Sequence, residues 1–219
     1  MTLQAQMMLP AYQAVQYKNS GIVLQSVTIG TQIWMAKNLD VTTYRDGTPI
    51  PQVTDPAEWA NLTTGAWCYY NNDPAYGLIY GKLYNWFAVA GIHDNDPNTP
   101  NKTLAPLGYH IPTDLEWTSL GSYLGGDSIA GGKMKEIGTA HWKNPNSANN
   151  ASGFTALPGG YRKNIDGSFI SITVFGMWWT ATESSPTHAW NSYLYNEYED
   201  SYRSAISKKI GLSVRCVKD

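Results

Sequence analysis

Apolar residues in this chain come in short bursts rather than long runs, a pattern that predicts short strands and helices joined by long loops. The first burst, Ile22-Val23-Leu24-Gln25-Ser26-Val27-Thr28-Ile29, is followed by Gly30-Thr31 and then by Gln32-Ile33-Trp34-Met35. Two β-rich runs around a two-residue turn containing glycine predict a β-hairpin. Asp46-Gly47-Thr48-Pro49 reads as a turn, and Asp55 ahead of Pro56-Ala57-Glu58-Trp59 can cap one helical turn. Ala66-Trp67-Cys68-Tyr69-Tyr70 predicts an aromatic strand, ended by the loop signal Asn71-Asn72-Asp73-Pro74. Tyr80, Leu83, Tyr84 and Phe87 fall at helical spacing and predict a helix over 81–90. The Pro- and Asn-rich stretch 91–106 reads as a loop. Its Asp94, Asn95 and Asp96 could offer oxygens to calcium, but their spacing matches no EF-hand loop.

Thr113 and Glu116 form a Thr-x-x-Glu capping box ahead of the apolar stripe Trp117, Leu120, Leu124, and Gly125-Gly126 closes that helix. A second short helix is expected over 128–137, then an irregular Asn-rich stretch over 141–152, then short strands with glycine turns over 154–162 and 167–170. Residues 1–20 have weak periodicity and read as a leader or assembly segment, packing on the domain or on a neighbouring subunit and offering a route to a homo-oligomer. Residues 21–219 are expected to form one domain, since the length suits a single well-buried core.

The last forty-odd residues carry the strongest contrast. Gly176-Met177-Trp178-Trp179-Thr180-Ala181-Thr182-Glu183 and Gly211-Leu212-Ser213-Val214-Arg215-Cys216-Val217 look like buried strands. Between them, from Ser184 to Ser207, the chain is mostly Ser, Asn, Tyr, Asp, Glu and Thr, with Tyr193, Tyr195, Tyr198 and Tyr202 spaced through it. Tyrosine supplies a large amphipathic contact at low entropy cost, and Ser and Asn supply adaptable hydrogen bonds, so the segment reads as a binding face on a rigid frame. The competing reading is a solvated polar loop, against which stand the tyrosines, Trp190 and the lack of glycine before Gly211.

Composition narrows the classes. The chain has 219 residues, a formal charge of -2 and only 15% charged residues, which argues against nucleic acid as a partner. Its 9 Trp and 15 Tyr against 4 Phe put the aromatic surplus in residues with a polar handle, which favour interfaces. Cys68 and Cys216 are too few for a disulfide framework; they either pair with each other in an oxidising compartment or stand as buried free thiols. His93, His110, His141 and His188 lie far apart, and no metal or cofactor is implied. The N-terminus lacks a signal-peptide pattern and no run approaches a membrane span, so no membrane insertion is expected.

Six blocks, in order, resemble the Fibrobacter succinogenes major paralogous domain: Ile33-Trp34-Met35-Ala36-Lys37-Asn38-Leu39, the Trp67-to-Asp73 run, Tyr109-His110-Ile111-Pro112-Thr113-Asp114-Leu115-Glu116-Trp117, Leu157-Pro158-Gly159-Gly160-Tyr161-Arg162, Trp178-Trp179-Thr180-Ala181-Thr182-Glu183 and Ser213-Val214-Arg215-Cys216-Val217. The likeness runs from about Val27 to Asp219, and ordered blocks are far more specific than any one motif. It implies an α+β, C-type lectin-like fold, in the variant of the formylglycine-generating enzyme: a small twisted antiparallel sheet joining the chain ends, two or three helices, and long loops over one face. The family is found mainly in surface and secreted proteins of Bacteroidetes-like bacteria and their phages. Some members of this lectin-like class are rewritten near the C-terminus by diversity-generating retroelements. Thr187, His188, Asn191, Ser192, Tyr193, Tyr195, Asn196, Tyr198, Asp200, Ser201 and Tyr202 have the residue types such rewriting leaves.

The expectation is therefore a non-catalytic, receptor- or adhesin-type module on a cell surface or virion, taking a protein or glycan ligand. Its contact residues would be Thr187, His188, Asn191, Tyr193, Tyr195, Asn196, Tyr198, Asp200 and Tyr202, held by Trp117, Trp178, Trp179 and Val214 as scaffold. A structural surface module without a specific ligand is the alternative. An oxidase like the formylglycine-generating enzyme would need a cysteine pair near the site, where only Cys216 is offered, and a glycosidase pair would have to come from Glu183 with Glu197 or Asp200. Calcium-dependent sugar binding does not carry over, because Trp190-Asn191 is followed by Ser192 and no Glu-Pro-Asn occurs.

Overall fold

The computed structural model describes Gln13–Gln16 and residues 23–219. The leader proposed for residues 1–20 lies outside the described residues except for Gln13–Gln16, which forms β1 and pairs antiparallel with β2, Val23–Ile29. The predicted hairpin is present: Gly30 takes a φ of 63°, and β2 turns back into β3, Gln32–Met35. Three further short strands come next: β4, Trp67–Cys68; β5, Leu83–Tyr84; and β6, Tyr109–His110. Later come β7, Tyr161–Arg162; β8, Phe169–Ile170; β9, Phe175–Ser185; β10, His188–Tyr195; β11, Ser201–Ser207; and β12, Val217–Lys218. The helices are α1, Pro56–Ala60; α2, Pro74–Tyr80; α3, Trp86–Val89; α4, Asp114–Tyr123; and α5, Asp127–Met134.

One antiparallel sheet has the order β1-β2-β3-β12-β6, so the C-terminal strand sits beside the N-terminal hairpin, Val217 pairing with Trp34 on one side and His110 on the other. A second sheet has the order β11-β10-β9, and β4-β5 and β7-β8 are two-stranded. The molecule is thus α+β, with small antiparallel sheets and short helices.

β9 is the centre of the core. Successive strand residues point to opposite faces, so Trp178 enters one apolar cluster, with Trp34, Trp117 and Phe154, while Trp179 enters another, with Tyr84, Val214 and Cys216. Trp178, Trp179 and Val214 are fully buried and Trp117 nearly so. Each indole of the pair on β9 finds an acceptor, Trp178 Nε1 donating to Asn38 Oδ1 at 2.8 Å and Trp179 Nε1 to the Tyr84 carbonyl at 2.9 Å. Tertiary bonds like these fix β9 as a platform for whatever β10 and β11 carry.

Several local expectations are met and several are overturned. Asp55 caps α1, and the Thr113–Glu116 capping box opens α4 as predicted. Of the helix expected over 81–90 only the short α3, Trp86–Val89, forms, and the first half becomes β5. Asp73-Pro74, read as a loop, instead supplies the N-cap and first residue of α2, and Gly81, at φ 74°, ends that helix before the expected one begins. Leu83 and Tyr84 are both buried because they point to opposite faces of β5, so their helical spacing with Tyr80 and Phe87 is coincidental. The second helix runs over Asp127–Met134 rather than 128–137, and of the strand expected over 154–162 there form β7, Tyr161–Arg162, and a bridge between Lys135 and Ala156.

Of the two readings of the cysteines, paired or free, the structure has the free thiols. Cys68 and Cys216 are free, buried thiols in different clusters. Cys68 shares β4 with Trp67, and alternation sends Trp67 toward the cluster of Cys216 and Cys68 away from it.

Candidate functional site

The polar segment after Ser184 is not a loop. It folds into β10 and β11, which pair in register against β9, with Tyr193 opposite both Tyr202 and Met177, and Tyr195 opposite Phe175. Cross-strand partners share a face, so the register alone gathers aromatic side chains from three strands. The result is a chain of rings across one end of the sheet. Tyr202 stacks on Tyr193 with centroids 5.1 Å apart and planes 16° apart; Tyr193 meets Phe175 edge-on at 6.1 Å. Phe175 lies 4.8 Å from Tyr195, and Tyr195 5.3 Å from Tyr198. Tyr198, at the outer end, is 50% exposed, and the other four rings are half-buried, partly by one another.

The hairpin tip that carries Tyr195 and Tyr198 is fastened from beneath. Lys135, at the end of α5, is fully buried, and its ammonium donates to the carbonyls of Tyr195, Asn196 and Tyr198 at 3.0, 2.8 and 2.7 Å. Burial pushes its pKa down from 10.5 to about 8, against the opposing pull of the Glu199 charge. α5 can approach this closely because it carries Gly131-Gly132: a Cβ on Gly131 would stand 2.1 Å from the Asp200 carbonyl. Gly132 N–H donates to the Glu199 carbonyl at 2.9 Å. On the other flank Asn196 N–H donates to the Val174 carbonyl, and its Nδ2 to the carbonyls of Lys143 and Pro145. The run into Phe175 is held in uncommon backbone, with Ser171 and Thr173 at φ 65° and 67°. The ring chain therefore rests on a frame fixed by hydrogen bonds rather than on a free loop.

The proposed contact residues divide. Tyr193, Tyr195, Tyr198 and Tyr202 come together, with half-buried Asp200 beside Tyr202. Lost solvation and the Asp200 carboxylate both raise the Tyr202 pKa above 10.0. Thr187 and His188 are exposed, but they lie in the β9–β10 turn and at the first residue of β10, roughly 24 Å from Tyr195 at the usual rise of a strand. Asn191 and Asn196 must be withdrawn as contact residues, since both have no exposure. Asn191 Nδ2 donates to the carbonyl and hydroxyl of Ser204, tying β10 to β11, and Asn196 is the anchor of the tip. Buried Ser192 leaves the candidate rewritten positions for the same reason. Two contributors escaped the sequence reading. Phe175 continues the alternation of Met177 and Trp179 and could have been found that way, whereas nothing in the pattern around Lys135 marks it as the clamp.

The opposite face of this sheet is covered. There the Arg203 guanidinium lies 4.6 Å over the Trp190 ring and pairs with Asp114 at the start of α4. A shallow cleft of about 270 Å³ remains between α4 and β11. Glu183 accepts from the buried Lys208 ammonium at 2.6 Å. In the 91–106 loop, Asp94 and Asp96 cap backbone N–H groups two residues on, and among the described residues no cluster of His, Cys, Asp or Glu is arranged to hold a metal ion. Burial raises the pKa of both thiols, Cys68 to about 12 and Cys216 further. No helix among the described residues is long and apolar enough to cross a membrane.

An α+β domain with its ends paired in one sheet and a clamped aromatic strip on another is the class that these features define. By its sequence, over residues 27–218, the chain belongs to the family described as the Fibrobacter succinogenes major domain. No curated protein and no solved structure matches it.

Proposed function

We propose that this chain is a non-catalytic binding module whose contact surface is the aromatic strip Tyr202–Tyr193–Phe175–Tyr195–Tyr198, displayed on a bacterial surface or a virion. The strip itself carries the reading. Five rings in contact, partly open to solvent and held by Lys135 and Asn196, form a preformed amphipathic surface that loses little entropy on binding. Elsewhere most of the tryptophans and many of the tyrosines are buried in the core, and Tyr123 on α4 is an isolated exposed ring. An oxidase of the formylglycine-generating kind is disfavoured because Cys68 and Cys216 are buried apart and burial keeps both protonated. A glycosidase is disfavoured because Glu183 is tied to Lys208.

The finer fold and history belong to the same proposal. Pairing of β12 with β3 and β6, and the long loops around the core, support a C-type lectin-like fold. A retroelement could rewrite Tyr193, Tyr195, Tyr198, Asp200 and Tyr202 at the surface, but not Asn191 or Asn196 without loosening the sheet. The test is a binding screen of the purified chain against arrayed glycans and surface proteins, repeated with Tyr198→Ser and Tyr202→Ser. Ligands lost in both variants, with unchanged melting, support the proposal. Binding that is indifferent to both would leave a structural surface module as the better reading.

A further inference from the structure

The charge around the aromatic strip identifies the kind of ligand it suits. The hairpin tip carries Glu197 and Glu199, both exposed, and half-buried Asp200, with Tyr198 among them in sequence and Tyr202 just beyond. Among the described residues none of these three carboxylates makes an ion pair. The cations nearby are otherwise placed. Lys135 is buried under the tip with its ammonium on three carbonyls, and Arg203 is on the far face with Asp114. Lys133, next to the Gly132 that touches Glu199, turns its ammonium to the Leu124 carbonyl, and exposed Lys143 lends its carbonyl to Asn196 Nδ2. Negative charge therefore dominates a surface whose apolar part is electron-rich aromatic rings.

Resting on the proposal that this strip is the contact surface, we infer that its ligand is a basic protein segment that presents arginine or lysine side chains to the rings. Two attractions coincide at one place. A guanidinium or ammonium is drawn to the face of a tyrosine ring by its quadrupole, and most strongly where water is displaced. An adjacent carboxylate adds a charge-assisted hydrogen bond, which a planar guanidinium can make in bidentate form. The molecule already contains the first of these contacts in its own packing: Arg203 on Trp190, Arg162 on Trp59 and Arg215 on Phe154, with distances of 4.2 to 4.6 Å. Among the described residues no such cation lies over a ring of the strip. Polyanions are repelled by the same charges, and a neutral glycan would use the rings but gain nothing from the net charge.

The experiment uses the 219-residue chain and four probes: an oligo-arginine peptide, an oligo-lysine peptide, a Gln/Ser peptide of equal length and an array of neutral glycans. Affinity is read by biolayer interferometry at low and physiological salt. Oligo-arginine is expected to bind best, to weaken as salt screens the charges, and to lose about tenfold or more in affinity in the Glu197→Gln/Glu199→Gln/Asp200→Asn variant, as contacts at the centre of an interface do. Asp94→Asn/Asp96→Asn, in the distant loop, should bind like the parent and so excludes general charge attraction. Should the triple variant fail to fold, Glu197→Gln alone, at an exposed position, gives the same reading with a smaller loss. No binding of basic peptides above the Gln/Ser control, or binding undiminished by loss of the carboxylates, overturns the inference. If neutral glycans bind and Tyr198→Ser abolishes that binding, the basic ligand is wrong and the displayed surface stands. If no probe responds to any change on the strip, both fall.

Discussion

Lys135→Met offers the most direct test of how the candidate site is held, since methionine keeps most of the apolar stem and removes the donor. In the parent the ammonium makes three bonds to main-chain carbonyls, each from a charged donor. Such bonds contribute about 1.5 to 3 kcal/mol apiece. Burial opposes them: the drop in pKa from 10.5 to about 8 corresponds to about 3 kcal/mol of disfavoured charge, which the variant regains. The Tyr195 and Tyr198 carbonyls lie near enough to the surface to recover water. The net loss should then be about 2 to 4 kcal/mol, measured by urea unfolding, with faster amide exchange confined to the tip around residues 195–201. The sign of the pH dependence gives an independent check. Between about pH 8 and 10.5 the unfolded chain still holds the lysine proton that the folded chain has released, so stability rises with pH across that window. Lys135→Met should lack this rise. A variant within about 0.5 kcal/mol of the parent, with an unchanged tip, would refute the clamp.

The same contacts set the outcome of other substitutions. Gly131→Ala should force the tip off α5 through the 2.1 Å approach to the Asp200 carbonyl, costing about 1 to 3 kcal/mol by chemical denaturation. Trp179→Ala should cost about 3 to 5 kcal/mol as a large buried truncation, and a variant that melted with the parent would show the core is elsewhere. The tyrosines should not be equivalent: Tyr198→Ser should cost about 0.5 kcal/mol, whereas Tyr193→Ser, which loses its contacts with Phe175 and Tyr202, should cost about 1 to 2 kcal/mol. At His110, burial works against the charge, but Glu116 and Asp219 at 2.8 Å on the two ring nitrogens outweigh it and raise its pKa above 6.5. Its contribution should therefore be full below pH 6.5 and fade as pH rises through the raised value, a dependence that His110→Gln should remove.

How much of the fold could be read from sequence depended on whether the deciding interaction was local. The hairpin at Gly30 and the capping box at Thr113 are complete within a few residues, and both appear where the pattern puts them. The 81–90 segment shows the opposite case. Its apolar residues fall at helical spacing, but Leu83 and Tyr84 are claimed by partners outside the segment: Tyr84 exchanges backbone bonds with Leu212, and Tyr84 and Leu83 pair with Trp67 and Cys68. Tertiary pairing overrides a short local preference. Asp73-Pro74 failed for another reason. The dipeptide both breaks the segment before it and caps the helix after it, and a loop reading recognises only the first of these roles.

The site was legible as composition but not as geometry, and the difference decides which residues can touch a ligand. A run of Ser, Asn and Tyr says that a surface is suited to contact; it does not say which members face outward. Pairing into β10 and β11 imposes the strand alternation, and the sheet is covered by core on parts of both faces, so polarity stops predicting exposure. Asn191 and Asn196 are the clearest instances. Each is polar and sits amid tyrosines, yet each spends its amide N–H groups inside the protein, Asn191 on the carbonyl and hydroxyl of Ser204 and Asn196 on the carbonyls of Lys143 and Pro145, leaving its Oδ1 buried without a partner. A buried, half-satisfied amide is costly to keep and costlier to change. If this surface does vary between relatives, variation must therefore be confined to the ring chain and its carboxylates, with Asn191 and Asn196 fixed beneath it. Asn196→Tyr, a change that free variation would accept, should instead unfasten the tip from Lys143 and Pro145 and lower stability by about 2 kcal/mol or more. A stable Asn196→Tyr protein, by urea unfolding, would mean that the tip is held by less than the hydrogen bonds described.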